Sequence, residues 1–288
     1  MLSLDRVSKT FTAGSFGGTK VQAVRDVSFS VGPGEVVSLI GESGSGKTTI
    51  GRMLLRLSRP TAGRIAIDGS DVARLRGAAL RDYYRRVQGV FQDPFSSYNP
   101  IFKAERVFAL LRKEYFPGEG DAAWNAKLES ALAAVSLNPG DVFGKYPHQL
   151  SGGQLQRLLV ARALLLEIEY LVADEIISML DASTRIDVLN LLGGLKERGL
   201  GILFITHDLS LGNYISDTTV ILRRGAIVEM GETAKVFGDP RHPYTQMLLA
   251  SVPQLHEEWK RGARPQALPE PAEAPALVEI ESGHLAAL

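Results

Sequence analysis

The segment Glu35-Val36-Val37-Ser38-Leu39-Ile40-Gly41-Glu42-Ser43-Gly44-Ser45-Gly46-Lys47-Thr48-Thr49 carries two signals in succession. Its first six residues form a short apolar run of strand length, and residues 41–48 then fit G-x-x-x-x-G-K-[ST]. A helix is expected over 47–57. Gly41, Gly44 and Gly46 let successive backbone N–H groups turn inward toward phosphate oxygens, and the helix start adds positive potential. Lys47 reaches the outer phosphates, and the Thr48 hydroxyl can ligate Mg²⁺. Ser43, Ser45 and Thr49 complete the nucleotide-contacting set in this segment. A glycine-rich turn without a ligand is the plain alternative. A strand before and a helix after, both where phosphate binding needs them, argue against it.

Outward from that segment, composition sets bounds. The chain has 288 residues, 45% of them hydrophobic, enough for a sizeable core in one or two domains and too many for general disorder. Lys plus Arg and Asp plus Glu number 32 each, so no overall basic excess favours a nucleic-acid partner or anionic lipid. Cysteine is absent, which excludes disulfides, thiolate catalysis, cysteine-ligated zinc and a cysteine-held iron–sulfur cluster in this chain. Glycine, at 29 residues, exceeds its usual share of about 7%. No apolar run reaches the roughly 20 residues of a membrane-spanning helix. Met1-Leu2-Ser3-Leu4-Asp5-Arg6 lacks the basic and long apolar regions of a secretory signal, so a soluble, cytosolic chain is expected.

Along the chain, strands are expected over 2–8 and 21–31 with a flexible loop over 12–19 between them, then at 64–67 and 87–91. From 93 to about 150 the pattern turns helical, with helices at 103–114 and 122–135 separated by Pro117-Gly118 and followed by Asn138-Pro139-Gly140. Helices and strands alternate again after 154: a helix to 166, a strand at 170–173, a helix at 184–198 and a strand at 201–205. This order implies an open, largely parallel α/β sheet with a helical insertion. Short strands at 218–222 and 226–230 and a helix at 244–251 follow. From residue 261 four prolines and four acidic residues with little pattern predict a mobile tail.

Two further segments carry chemistry. The apolar strand Tyr170-Leu171-Val172-Ala173 ends in Asp174-Glu175, at the strand end where α/β folds bind ligands. Asp174 can orient Mg²⁺ there, and Glu175 can polarise an attacking water as general base. Alone, such a strand end is ordinary surface punctuation; beside residues 41–48 it reads as a phosphate site. Leu150-Ser151-Gly152-Gly153-Gln154 opens an amphipathic helix, with Ser151 a natural N-cap and the glycines exposing N–H groups to an anion. Read blandly, it is a capped helix with a flexible entry.

Residues 41–48, Gln92, 150–154, 171–175, Ser178-Met179-Leu180-Asp181 and His207 occur in the order and spacing of ATP-binding cassette (ABC) proteins, whose Walker A, Q-loop, signature, Walker B, D-loop and switch histidine they resemble. The resemblance runs over residues 2–252. It implies a P-loop NTPase (RecA-like) α/β core with an antiparallel β subdomain and a helical insertion subdomain. The core would take 1–92 and 155–240, the helical subdomain 93–154, a C-terminal helical extension 241–260, and a flexible tail 261–288. It also implies ATP and Mg²⁺ as cofactors, with Thr48, Gln92 and Asp174 at the metal. Glu175, His207 and Lys47 would be catalytic, and Phe11 would stack on adenine. Ser151, Gly152, Gly153, Gln154 and Asp181 would serve ATP across a head-to-tail dimer of cassettes.

Val90-Phe91-Gln92-Asp93-Pro94-Phe95-Ser96-Ser97-Tyr98-Asn99-Pro100 and Asp239-Pro240-Arg241-His242-Pro243-Tyr244-Thr245 resemble the cassettes of bacterial oligopeptide and dipeptide importers, a group that includes oligosaccharide and nickel-chelate relatives. As chemistry, both segments read only as turns with aromatic anchors, and His242 has no second metal ligand at suitable spacing. The resemblance implies an ATPase subunit peripheral to the cytoplasmic face of the membrane. Its partners would be a related but different ATPase, two transmembrane permease subunits and, indirectly, an extracytoplasmic solute-binding protein. A noncatalytic regulatory cassette and a soluble non-transport ABC ATPase are the alternatives. One departure stands out: where cassettes usually read Asp-Glu-Pro-Thr-Ser, this chain has Asp174-Glu175-Ile176-Ile177-Ser178, which frees a backbone angle and removes a hydroxyl.

Overall fold

The computed structural model describes residues 1–13, 18–251 and 276–287, and the chain divides into two units: 1–75 with 203–288, and 76–202. The first unit opens with β1 (Leu2–Ala13), β2 (Thr19–Val31), β3 (Val36–Ile40), α1 (Lys47–Leu54), β4 (Ala62–Ile67) and the two-residue β5 (Ser70–Asp71). β1 and β2 pair antiparallel, with Leu2 opposite Val31 and Phe11 opposite Val21, and the sheet order is β2-β1-β4-β5. Period-two alternation puts Val27, Phe29 and Val31 of β2 inside with Leu2 and Leu4 of β1.

The second unit holds α2 (Gly77–Arg86), β6 (Val87–Val90), α3 (Arg106–Tyr115), α4 (Asp121–Ala134), α5 (Pro139–Val142), α6 (Gly152–Leu164), β7 (Tyr170–Asp174), α7 (Ala182–Glu197) and the start of β8 (Gly201–Thr206), which continues into the first unit. β6 and β7 run parallel, with Val87 opposite Tyr170 and Val90 opposite Ala173. Every residue of β7 is buried, as a strand covered on both faces requires. α6 buries Leu155, Leu158, Leu159, Val160, Ala161 and Ala163, while α3 and α4 contribute Phe108, Leu111, Trp124 and Leu132 to the core.

The chain then returns to the first unit with α8 (Leu209–Ile215), β9 (Thr218–Arg223), β10 (Ala226–Glu232), α9 (Thr233–Gly238), α10 (Pro243–Ala250), β11 (Leu277–Glu281) and β12 (His284–Ala287). β3 runs parallel to β9, from Val37 opposite Thr218 to Ile40 opposite Ile221, and strand order in this unit is β11-β12-β10-β9-β3-β8. Ile40, Leu209, Ile221, Val228, Val236 and Tyr244 form one core cluster. Three hydroxyls within the buried region satisfy one another: Ser38 to Thr219 and Thr219 to Thr233, each at 2.9 Å.

The structure departs from the sequence expectations in several places. Residues 277–287, expected within a mobile tail, are the hairpin β11–β12, which pairs on β10 with Glu229 opposite Ala286. Residues 252–260 of the expected helical extension, 261–275 of the tail, and 14–17 of the expected loop lie outside the described residues; Thr12 and Thr19, also placed in that loop, are strand. α2 was not anticipated. The expected helix over 47–57 stops at Leu54 because Arg56 takes φ 54°, a left-handed C-terminal stop. Among the described residues no helix is long and apolar enough to cross a membrane.

Candidate functional site

In the first unit, β3 delivers residues 41–48 to α1 with no room for a side chain at Gly41 or Gly46. A Cβ at Gly41 would lie 2.1 Å from the Leu222 carbonyl oxygen, and one at Gly46, where φ is 107°, would lie 2.4 Å from the Ala23 oxygen. The loop is closed by Ser45 N–H donating to the Glu42 carbonyl at 3.1 Å and by Gly225 N–H donating to the Ser45 carbonyl at 2.8 Å. Lys47 is buried in the turn, its ammonium donating to the carbonyls of Gly41 at 2.6 Å and Glu42 at 2.9 Å.

Three observations fit this loop to a phosphate group. The Ser45 hydroxyl is buried without a hydrogen-bond partner. α1 begins at Gly46 with no side chain capping it, and its first turn has no acidic residue. A helix start without a side-chain cap or a first-turn acid turns its N–H groups and positive potential toward an anion. Glu42, Ser43, Gly44 and Thr48 are exposed along the same loop.

The first unit also carries Phe11 and His207. Phe11 is 44% exposed, and the Lys9 ammonium lies 4.9 Å from its ring centroid. An aromatic this open is available for stacking, unlike a core phenylalanine. His207 is exposed just beyond β8, and the capping role beside it falls to Asp208, whose carboxylate accepts the N–H groups of Ser210 and Leu211.

The second unit carries the remaining residues. Ser151 caps α6, with Gln154 N–H donating to its Oγ at 3.2 Å and Ser151 N–H donating to Gln154 Oε1 at 3.0 Å, a complete capping box. Gln154 therefore has a structural task at the helix start. Asp174 ends β7 and is buried. Glu175 follows at φ 50°, a left-handed conformation that a residue with a Cβ adopts at a cost. Ile176 and Ile177 are buried, and the Ser178 N–H and hydroxyl both donate to the Glu175 carbonyl, at 3.1 and 2.9 Å. Packing and a doubly bonded turn thus restrain the backbone that a proline at 176 would have restrained through its ring. Asp181 caps α7: hydrogen bonds from the Thr184 N–H and from the Ser183 and Thr184 hydroxyls hold its carboxyl down to about 2.

Gln92 is exposed just beyond β6. Sequence reasoning missed what holds its strand: Gln156 of α6 donates to the Phe91 carbonyl at 3.4 Å, and Arg162 of the same helix donates to the Gly89 carbonyl at 3.2 Å. Their only sequence signal is polarity at positions of α6 that are otherwise apolar.

A parallel-sheet strand, a glycine turn that excludes side chains, and an uncapped helix start with a buried lysine define a P-loop nucleotide-binding protein. The chain belongs to the ABC transporter family, whose family model matches residues 24–178. Residues 228–277 match a second model, described as the oligopeptide/dipeptide transporter C-terminal region. The chain is 42% identical over 255 residues to the oligopeptide transport ATP-binding protein OppF of Streptococcus mutans, covering 88% of this chain and 82% of that one. It is 43% identical over 248 residues to the oligopeptide transport ATP-binding protein AppF of Bacillus subtilis, covering 84% and 73%. A solved structure of the ATP-binding cassette MJ0796, dimeric, in a post-hydrolysis state and bound to ADP and Pi, is similar with a TM-score of 0.72 and 28% identity, over 81% of this chain and 99% of that one.

Proposed function

We propose that the chain is the ATP-hydrolysing subunit of a bacterial ABC importer for oligopeptides, dipeptides or a related solute such as an oligosaccharide or a nickel chelate. The observation that carries the peptide reading is the match of residues 228–277 to the oligopeptide/dipeptide transporter C-terminal region. Residues 41–49 hold the phosphates, and Phe11 stacks on adenine. Mg²⁺, when bound, offsets phosphate charge, and Thr48, Gln92 and Asp174 are the residues that would hold it. Glu175 takes a proton from the attacking water, His207 steadies the outer phosphate, and Lys47 draws negative charge toward the loop.

In this reading Ser151, Gly152, Gly153, Gln154 and Asp181 face nucleotide held by a second, related but different cassette. Closure of the pair drives two transmembrane permease subunits, and an extracytoplasmic solute-binding protein acts on this chain only through them. The chain sits peripherally on the cytoplasmic face of the membrane. The test is ATP hydrolysis by the assembled complex carrying Glu175→Gln. Turnover should fall about 10²-fold or more while ATP still binds; near-normal turnover would remove Glu175 as the base.

A further inference from the structure

The segment Asp239-Pro240-Arg241-His242-Pro243-Tyr244-Thr245, which reads in sequence as a turn with an aromatic anchor, is tied at both ends. At one end the Tyr244 hydroxyl accepts the N–H of Glu42, the second residue of the phosphate-binding loop, at 3.1 Å. The Tyr244 ring is buried in the cluster with Ile40, Ile221 and Val236, and the Arg223 guanidinium lies 5.4 Å from its centroid. At the other end the buried carboxylate of Glu229, on β10, accepts the backbone N–H groups of Arg241 at 2.7 Å and His242 at 3.0 Å. The same carboxylate lies 2.8 Å from Nε2 of His284 on β12, itself buried. His242 links the two ends, its Nδ1 accepting the Tyr244 N–H at 3.0 Å.

A buried carboxylate is costly unless hydrogen bonds satisfy it. Glu229 is satisfied by this segment together with the hairpin, so the three hold one another in a single arrangement. Glu42 is in turn fixed on two sides. Tyr244 takes its N–H, and its carbonyl accepts Lys47, the side chain that would meet phosphate. Rotating the Gly41–Glu42 peptide would break the bond to Tyr244 and swing away the Gly41 carbonyl, which accepts Lys47 at 2.6 Å, in one motion.

We infer that Tyr244 is a positioning residue for the phosphate-binding loop, and that the hairpin β11–β12 holds Tyr244 in place through His284 and Glu229. This rests on the nucleotide-binding reading above. Tyr244→Phe in the full chain removes the hydroxyl and keeps the ring in the core. Two quantities are measured: amide hydrogen exchange at Glu42 in the nucleotide-free protein, and the Kd of a fluorescent ATP analogue. Exchange at Glu42 should quicken, and the Kd should rise by roughly 3- to 10-fold, the worth of one net hydrogen bond. His284→Ala should move both in the same direction, and His284→Gln, which keeps an N–H for Glu229, should move both less. Unchanged Glu42 exchange in Tyr244→Phe, or a loosened hairpin in His284→Ala without any effect at Glu42, would overturn the inference. A wild-type chain that binds no ATP analogue would overturn the nucleotide-binding reading instead, and the exchange result would still decide the role of Tyr244.

Discussion

The guanidinium of Arg162 donates to the Gly89 carbonyl at 3.2 Å and thereby ties the helix that begins at Ser151 to the strand that leads to Gln92. Its Nε is buried without a hydrogen-bond partner, and burial pulls its basicity below the ordinary arginine value. Gln156, six residues nearer the helix start, makes the weaker bond to Phe91 at 3.4 Å. Two polar side chains of one helix thus grip alternate backbone carbonyls, that of Gly89 within β6 and that of Phe91 just beyond it.

Arg162→Ala leaves the Gly89 carbonyl unpaired and a void under the strand. It is expected to destabilise the chain by about 2–4 kcal/mol, and Gln156→Ala by about 1 kcal/mol, because the second bond is longer and carries no charge. Urea denaturation of the two variants checks the order. Equal losses would show that the charged fork at Arg162 contributes nothing beyond an ordinary amide.

How much of this was readable beforehand depends on where each residue's partner lies. β3, residues 41–48 and α1 are legible because strand, turn and helix each carry a local pattern and the glycines report their own backbone. α2 is not, because its apolar face is short, only Leu80, Tyr83 and Tyr84 at helical spacing, and Tyr83 alone of its residues is buried. The hairpin is hidden for a different reason. Residues 277–281 follow a proline-rich run, and what fixes them is pairing to β10 and the bond from His284 to Glu229, both far away in sequence. Tyr244 sits in a segment the sequence singles out, yet its task depends on meeting Glu42 across the fold.

Gly153 sets a second test. A Cβ there would lie 2.8 Å from Cγ2 of Thr184, and that methyl cannot swing away without disturbing the Thr184 hydroxyl bonded to Asp181 at 3.0 Å. Gly153→Ala should therefore cost about 1–2 kcal/mol despite alanine's better helix propensity. Thr184→Ser removes the methyl and keeps the hydroxyl cap, so the double variant should regain most of the loss. A double-mutant cycle by thermal unfolding checks this, and additive effects would show that the methyl is not what the new Cβ meets.

Acidification should act on α10 through His242. Burial lowers the His242 pKa from 6.5, with Glu229 opposing that and Arg223 adding to it, and the cap uses the neutral ring because Nδ1 must accept the Tyr244 N–H. A folded pKa below the unfolded value means the contribution is fully present above about 6.5 and is lost as pH falls through the folded value. His242→Asn keeps a capping side chain that does not titrate in this range. The difference in melting temperature between about pH 7.5 and about pH 5.5 should be smaller in that variant than in the wild type. An identical pH response would rule out His242 as the titrating cap.

The glycines of the phosphate-binding loop should separate by what surrounds them. Gly44 and Gly46 both have positive φ, 81° and 107°, so either alanine variant carries left-handed strain of about 1–2 kcal/mol. The surroundings differ. A Cβ at Gly44 meets nothing within 4 Å, whereas one at Gly46 lies 2.4 Å from the Ala23 carbonyl oxygen of β2, a backbone atom that cannot step aside without disturbing the strand. Gly44→Ala should therefore fold with a modest loss of stability, while Gly46→Ala should lose at least about 2 kcal/mol more and displace the start of α1. Thermal unfolding in the absence of nucleotide isolates this term from any effect on binding. If Gly44→Ala proves as damaging as Gly46→Ala, backbone strain and not contact with β2 is what keeps glycine at both positions.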